Sequence, residues 1–286
     1  MKIIRRIEDL RSQVRDWRER RLRVGFVPTM GNLHGGHTSL VEEACARSDR
    51  VVVSIFVNPT QFGEGEDFAS YPRTLEADRE LLRDFPVDVV FAPEQREMYP
   101  DGVGPQTRVD VPGLTDILCG RSRPGHFSGV ATVVSKLFGI VQPDLAVFGR
   151  KDFQQLKVIQ CLVRDLNYPV QIVGADVVRD ADGLAKSSRN AYLSAEERAR
   201  APVIYRALTE AATRLRDKGL AAVPEVETRG RSAIDAAGLG TEYFSVRRAD
   251  DLMPPQPQDR ELVVLAAARL GRARLIDNVG VSLARE

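Results

Sequence analysis

Apolar positions near the start of the chain recur at helical spacing. Ile7, Leu10, Val14 and Trp17 or Arg18, with charges between them, predict an amphipathic helix over 7–21. The pattern then switches to short apolar runs. Residues 23–29 read as a strand, and 50–57 (RVVVSIFV) is β-branched and apolar throughout, as a central parallel strand buried on both faces should be. Segments 38–47 and 75–84 read as helices, and 87–91 is strand-like and ends at Pro93. The alternation predicts an α/β fold with a doubly wound parallel sheet.

Residues 93–128 are irregular and rich in Gly and Pro, with a short strand expected at 107–111. A helix at 130–141, a strand at 145–149, a helix at 152–166 and a strand at 170–173 continue the alternation, followed by a polar loop at 183–190. After Ser194 the texture changes. A long helix is expected over 195–218, opened by Ser194 and Glu197 as a capping box. Strands are expected at 242–247, 262–268 and 272–278. This predicts two domains, 1–178 and 179–286, the second a smaller α+β unit.

Composition narrows the function. With 43% hydrophobic and 28% charged residues and a net charge of +1, the chain is an ordinary globular protein without a field to attract nucleic acid or an anionic membrane. Any polyanion it binds must be small and held locally. Cys45, Cys119 and Cys161 are far apart and form no C-x-x-C pair, which points to a reducing compartment. The N-terminus lacks the apolar core of a signal peptide, and no run approaches a membrane span. The expected location is the cytoplasm.

Candidate chemistry begins in the glycine-rich turn between the 23–29 strand and the following helix. It holds His34 and His37, two of only three histidines. A helix N-terminus offers N–H groups and the positive dipole end to an anion, and the glycines admit close approach. His37 is expected in the first helical turn and His34 about one turn earlier, so both can face one anion. The pattern H-x-G-H equally describes a helix cap with two solvated histidines.

Ligands of doubly wound sheets sit beyond the carboxyl ends of the strands. Other unusual residues fall there. Asn58 and Gln61 follow the second apolar strand, as amides suited to a hydroxy acid or amino acid. Gly149, Arg150, Lys151 and Asp152 follow the 145–149 strand; the lysine can hold a phosphate, and the aspartate can cap the helix or accept from a ribose. Lys186, Ser187, Ser188 and Arg189 lie on the polar loop, expected to be mobile. They suit the charge that develops as pyrophosphate leaves a triphosphate, or else form a solvated basic loop. Arg123 and His126 lie on a Gly/Pro turn. Asp78 reads either as an exposed helix acid or as a magnesium ligand acting through water.

The segments VPTMGNLHGGH, SIFVNPTQF, YPRT, RPGHFSGV, VFGRKDFQQL, DGLAKSSRNAYL and ARLIDN run in order from residue 24 to residue 278. Together they resemble the pantothenate synthetase family, the pantoate–β-alanine ligases. The resemblance implies a Rossmann-like nucleotidyltransferase domain with an HIGH-type signature, and a smaller C-terminal domain; that domain and the 183–190 loop are expected lids, because a reactive adenylate must be shielded from water. It also implies a homodimer and an ATP- and Mg²⁺-dependent condensation of pantoate with β-alanine through a pantoyl adenylate, releasing pyrophosphate and then AMP.

Carried over residue by residue, the resemblance implies that Met30, Gly31, Asn32, Leu33, His34, Gly35, Gly36 and His37 line the ATP site, with both histidines on the triphosphate. Gly149, Arg150, Lys151 and Asp152 form a second ATP segment, Val178 meets adenine through its backbone, and Lys186, Ser187, Ser188 and Arg189 form a KMSKS-like loop. Gln61 and Gln155 bind pantoate, Gln61 also serves β-alanine, and Arg123 and His126 are pocket residues; Asn58 joins them as a candidate on its strand-end position alone. Asp78 is the magnesium-associated acid. Arg150 stands where the family often has Glu, and Lys186 where it often has an apolar residue, so extra positive charge near the triphosphate is expected. The rival readings are a nucleotidyltransferase that stops after transfer to a phosphate, and a nucleotide- or RNA-binding module without catalysis.

Overall fold

The structure, a computed structural model, describes residues 1–104 and 106–284. It divides into two compact units. The first comprises Met1–Arg150 and Val158–Asp176, and the second Lys151–Lys157 and Val177–Glu286. The division thus falls just before residue 178 and, in addition, places 151–157 with the second unit.

The first unit is built on a parallel sheet of six strands: β1 (Lys2–Ile4), β2 (Val24–Thr29), β3 (Arg50–Ile55), β4 (Val89–Phe91), β5 (Leu145–Gly149) and β6 (Gln171–Ala175), in the order β1-β4-β3-β2-β5-β6. Helices α1 (Ile7–Glu19), α2 (Gly35–Arg47), α3 (Leu75–Leu82), α4 (Gln95–Met98), α5 (Cys119–Ser122) and α6 (His126–Val141) connect them, with α7 (Phe153–Asp165) between β5 and β6. The apolar runs are buried on both faces: Val24, Phe26 and Val27 of β2 and Val52 and Val53 of β3 have 0% exposure. Leu10, Val14 and Trp17 form the buried stripe of α1.

The chain order reverses at β2. It pairs with β3 along its whole length, from Val24↔Arg50 to Thr29↔Ile55. With β5 it pairs only at Gly25↔Leu145 and Phe26↔Ala146. The ladder therefore lapses toward the carboxyl ends of β2 and β5. That is the topological switch point, where open α/β sheets bind ligands.

Several expectations are corrected. The edge strand β1 has no counterpart among the expected elements, its three residues being too few for a readable period. Residues 107–111 form no strand. Val109 N–H instead donates to Thr132 Oγ1 at 2.9 Å, and Ser128 Oγ donates to the Val109 carbonyl at 3.3 Å, so α6 side chains replace a ladder. Helix α2 begins at Gly35, ahead of the expected 38, because His34 caps it.

In the second unit the helix expected over 195–218 is two helices, α8 (Ala195–Arg200) and α9 (Val203–Lys218), separated at Ala201 and Pro202. Proline has no N–H to continue a ladder, but its φ suits a helix start. Helix α10 (Val223–Ala236) is a further element beyond those expected; Pro224 opens it, and Val226, Gly230 and Ile234 give its buried face. Strands β7 (Gly240–Arg248), β8 (Glu261–Leu270) and β9 (Ala273–Ser282) form an antiparallel meander. Residues of α9 and α10, Leu208, Leu215 and Ile234 among them, share one apolar cluster with Val264, Ala266 and Leu275 of the sheet.

Candidate active site

The first unit presents the glycine turn at the switch point. Past Thr29 the chain turns through Gly31 (φ +78°) and Asn32 (φ +51°), then enters α2 at His34. Thr29 Oγ1 donates to the Ser54 carbonyl at 2.7 Å and accepts from Gly31 N–H at 3.1 Å, fixing the exit from the strand. His34 Nδ1 accepts from Gly36 N–H at 3.0 Å, and His37 Nδ1 accepts from His34 N–H at 3.3 Å. Both Nδ1 atoms are acceptors, so the network assigns the ring proton of each neutral histidine to Nε2. The ring centroids are 4.1 Å apart. Two imidazole N–H donors therefore belong to the N-terminal turn of one helix, where the dipole already favours an anion.

Asp78 is not an exposed helix acid. It is 2% exposed. Its Oδ1 accepts from Leu33 N–H at 2.8 Å, its Oδ2 from Asn32 N–H at 3.1 Å, and Thr74 Oγ1 lies 3.3 Å from both oxygens. A Cβ at residue 31 would sit 2.9 Å from Asp78 Oδ2, so glycine is needed there for space as well as for φ. The carboxylate holds the turn from beneath. Among the described residues no group of three or more His, Cys, Asp or Glu is arranged to hold a metal ion.

Beside the turn lies an amide cluster. Asn58, expected to meet substrate, is 1% exposed and faces inward. Its Oδ1 accepts from Tyr99 Oη at 2.7 Å and Thr60 Oγ1 at 3.1 Å; its Nδ2 donates to the Gly129 carbonyl at 3.2 Å and Gln61 Oε1 at 3.1 Å. Asn58 thus orients Gln61, whose Nε2 lies 3.0 Å from Met30 Sδ, which brings the amide cluster to the glycine turn. Helix α6 passes so close that a Cβ at Gly129 would lie 2.3 Å from the Thr60 carbonyl oxygen.

The expected pair Arg123 and His126 completes a chain of contacts. His126 Nδ1–H donates to the Gln61 carbonyl at 2.7 Å, and its Nε2 accepts from Arg123 Nη1 at 2.9 Å, because a guanidinium only donates. Arg123 holds Glu66 through two contacts of 2.6 Å. Burial pushes the Glu66 carboxyl up, but the hydrogen bonds and charge of Arg123, with the Gly63 amide and His126, outweigh it and hold it at about 2. Glu66 is not among the residues the sequence singles out.

Arg150, at the end of β5, turns to β6. Its Nε donates to the Gly174 carbonyl at 3.0 Å and lies 3.3 Å from Asp176.

In the second unit, Lys151 Nζ lies 3.6 Å from Asp152, and Gln155 is half-buried in the first turn of α7. The expected polar loop at 183–190 starts inside a short hairpin that follows Val178. Lys186 N–H donates to the Val178 carbonyl at 2.9 Å, Asp180 N–H donates to the Leu184 carbonyl at 2.9 Å, and Arg179 bridges Ala185. Ser187 then caps a 3-10 turn, Ser188–Tyr192, by accepting from Arg189 N–H at 3.3 Å. Lys186 pairs with Asp180 at 2.7 Å, and Arg198 reaches the same carboxylate at 3.0 Å. Lys186 and then Arg198 hold Asp180 below the usual carboxylate range. The expected surplus charge at Arg150 and Lys186 is therefore met locally by Asp176 and Asp180.

Sheet order, switch point and a histidine-bearing helix N-terminus define a Rossmann-like α/β protein with an anion-receptive turn. Comparison with known proteins specifies it further. The sequence profile described as pantoate-beta-alanine ligase matches residues 2–280. The pantothenate synthetase of Pseudomonas fluorescens Pf-5 is 56% identical over 283 residues, covering 99% of each chain, and that of Shewanella oneidensis is 52% identical over 273 residues, covering 96% of each. The crystal structure of pantothenate synthetase from Thermus thermophilus superposes with a TM-score of 0.90 at 47% identity, covering 98% of this chain and 99% of that one. Pantoate-beta-alanine ligase from Francisella tularensis, complexed with beta-gamma ATP and beta-alanine, gives a TM-score of 0.78 at 36% identity over 98% and 97%. The chain belongs to the pantoate–β-alanine ligase family: it is an enzyme that joins pantoate to β-alanine in pantothenate biosynthesis.

Proposed function

We propose that the ligation runs through a pantoyl adenylate made from (R)-pantoate and ATP. The observation that carries this reading is the pair His34 and His37, each ring held through its Nδ1 at the N-terminus of α2. A carboxylate does not expel hydroxide or oxide when an amine attacks it. Its oxygen first attacks the α-phosphorus, and pyrophosphate leaves with the electron pair of the broken P–O bond. The amine of β-alanine then attacks the acyl carbon, and AMP departs. Pantoate is already ionised at neutral pH, so the first step needs no base. It needs donors preorganised around phosphate oxygens.

His34 and His37 serve as those donors, and Lys151, Ser187, Ser188 and Arg189 supply charge and hydrogen bonds. Asp152 takes the ribose and Val178 the adenine. Gln61 and Gln155 bind pantoate; Gln61, steadied by Asn58 and His126, also serves β-alanine. Magnesium enters with ATP as part of the substrate. Both Asp78 oxygens accept from the turn, so Asp78 supports this site without ligating the ion directly. A homodimer in the cytoplasm is the expected assembly and location; no helix among the described residues is long and apolar enough to cross a membrane.

The test is product analysis with ATP, Mg²⁺, pantoate and β-alanine, each omitted in turn. Pyrophosphate formation that needs pantoate but not β-alanine, and AMP release that needs both, is the expected result. ADP as product, or pyrophosphate release without pantoate, overturns the adenylate reading.

A further inference from the structure

The ARLIDN segment, part of β9, supplies none of the groups assigned above to substrate. It nevertheless carries two buried polar side chains, Asp277 at 5% exposure and Asn278 at 7%. Buried polar groups in a sheet are costly unless hydrogen-bonded. Here their partners lie on the segments assigned to the nucleotide. Asn278 Nδ2 donates to the main-chain carbonyl of Lys151 at 2.9 Å. Asp277 accepts both arms of the Arg179 guanidinium, at 2.5 and 2.9 Å, and also accepts from Asn278 N–H at 2.8 Å. Arg179 donates to the Asn278 carbonyl at 3.3 Å and to the Gly183 carbonyl at 3.0 Å, with its guanidinium 3.8 Å above the Tyr205 ring.

We propose that Asn278 is a positioning residue for Lys151, and that Arg179 and Asp277 lock it in a frame that also holds the hairpin leading to Ser187, Ser188 and Arg189. The inference rests on the reading of Lys151 as a phosphate-holding lysine. Two segments widely separated in sequence, 151–157 and 178–189, must offer their groups at a fixed mutual spacing, and the strand β9 lies in contact with both. The hairpin tip is fixed by the same arginine. Gly183 has φ +92°, and a Cβ there would lie 2.4 Å from the Tyr205 ring, so only glycine lets the tip close on the ring beneath Arg179. The guanidinium is used as a planar fork with a stacked face, which lysine cannot reproduce.

The test is a double-mutant cycle read by pantoate-dependent exchange of labelled pyrophosphate into ATP, run at enzyme concentrations high enough to follow the slowest variant. Asn278→Asp keeps size and shape but sets an acceptor against the Lys151 carbonyl. It is expected to slow exchange by ~10- to 100-fold, the cost of misplacing a reacting group by about an ångström. In a Lys151→Ala background the same substitution is expected to change the remaining rate by less than about twofold, because residues that act as one unit are non-additive. An equal fractional loss in both backgrounds means a general structural effect and overturns the proposal, as does unimpaired exchange in Asn278→Asp. If Asn278→Asp does not fold, Asn278→Ala, which removes the donor to the Lys151 carbonyl without adding a charge, is run through the same cycle with the same deciding outcomes. Absence of exchange in the wild-type enzyme rejects the adenylate reading instead, so the two failures are distinguishable.

Discussion

His34 and His37 brace each other at the head of α2: His37 accepts from the His34 amide, while the His34 ring accepts from Gly36. The two rings are therefore unequal. His34 is the N-cap itself, and His37 is a residue of the first turn whose ring secures the cap. Asparagine can imitate the Nδ1 side of a histidine and glutamine the Nε2 side. His37→Asn is thus expected to keep stability but lose ~100-fold or more in pantoate-dependent pyrophosphate release, and His37→Gln to keep more of that rate. His34→Asn, a strong N-cap, should melt near the wild-type temperature, whereas His34→Ala should lose about 1 kcal/mol. Denaturant titration and pyrophosphate release, measured side by side, separate the capping role from the donor role.

Asp78 supports the same turn. Replacing it with asparagine keeps the volume but presents an NH₂ group to an amide that needs an acceptor. One buried N–H loses its partner, at a cost of roughly 1–3 kcal/mol. The Asp78→Asn variant should therefore show lower stability and a higher KM for ATP, with the Mg²⁺ concentration for half-maximal activity unchanged at saturating ATP. A shifted Mg²⁺ requirement with unaltered stability would restore the metal role.

Glu66 and Arg123 make stability depend on pH in a predictable direction. The Glu66 carboxyl is held at about 2 in the folded protein, below its ordinary value of 4.5. The pair's contribution is then fully present above pH 4.5 and fades as pH falls toward 2. Glu66→Gln should be less stable than wild type at about pH 7, and the gap should narrow at about pH 3. Equal gaps at both values, measured by chemical denaturation, would contradict the assignment. The same variant is expected to raise KM for pantoate, since Arg123 and His126 connect Glu66 to the Gln61 carbonyl.

Gly129 sets the approach of α6 to the Pro59–Gln61 turn. Alanine there must push the Thr60 carbonyl away, and overpacking of this kind costs roughly 1–3 kcal/mol. Gly129→Ala is expected to raise KM for pantoate more than KM for ATP, because the displaced backbone carries Gln61. Steady-state kinetics with each substrate varied in turn will show the split.

The parallel core is legible in the sequence because its strands are unbroken apolar runs, and the strand–glycine–helix succession locates the histidine turn. The direction in which a polar side chain points is not legible. Asn58 and Asp78 stand at strand-end and helix positions that look solvent-facing in one dimension, yet each is nearly fully buried. Sequence spacing carries no information about a backbone amide from a distant segment waiting for an acceptor. Glu66 is hidden for the same reason: its partner is 57 positions away. Helix α10 escapes the pattern although Pro224 marks its start, because Gly230 interrupts its apolar stripe; that glycine makes room for the Phe244 ring, which would lie 2.3 Å from a Cβ. The pairings that neutralise Arg150 and Lys186 likewise emerge only in three dimensions.

The placement of β2 between β3 and β5 has a consequence for how the chain is made. At translation rates of ~5–20 residues per second, the ribosome needs on the order of ten seconds to pass from Thr29 to Leu145. From the time β3 is complete until β5 follows, β2, with Val24, Phe26 and Val27 destined for full burial, has a sheet neighbour on one side only. Such an edge templates pairing with other chains. Nascent chains arrested between β3 and β5 therefore carry the histidine turn already in sequence, on a strand that is sticky until its last neighbour emerges.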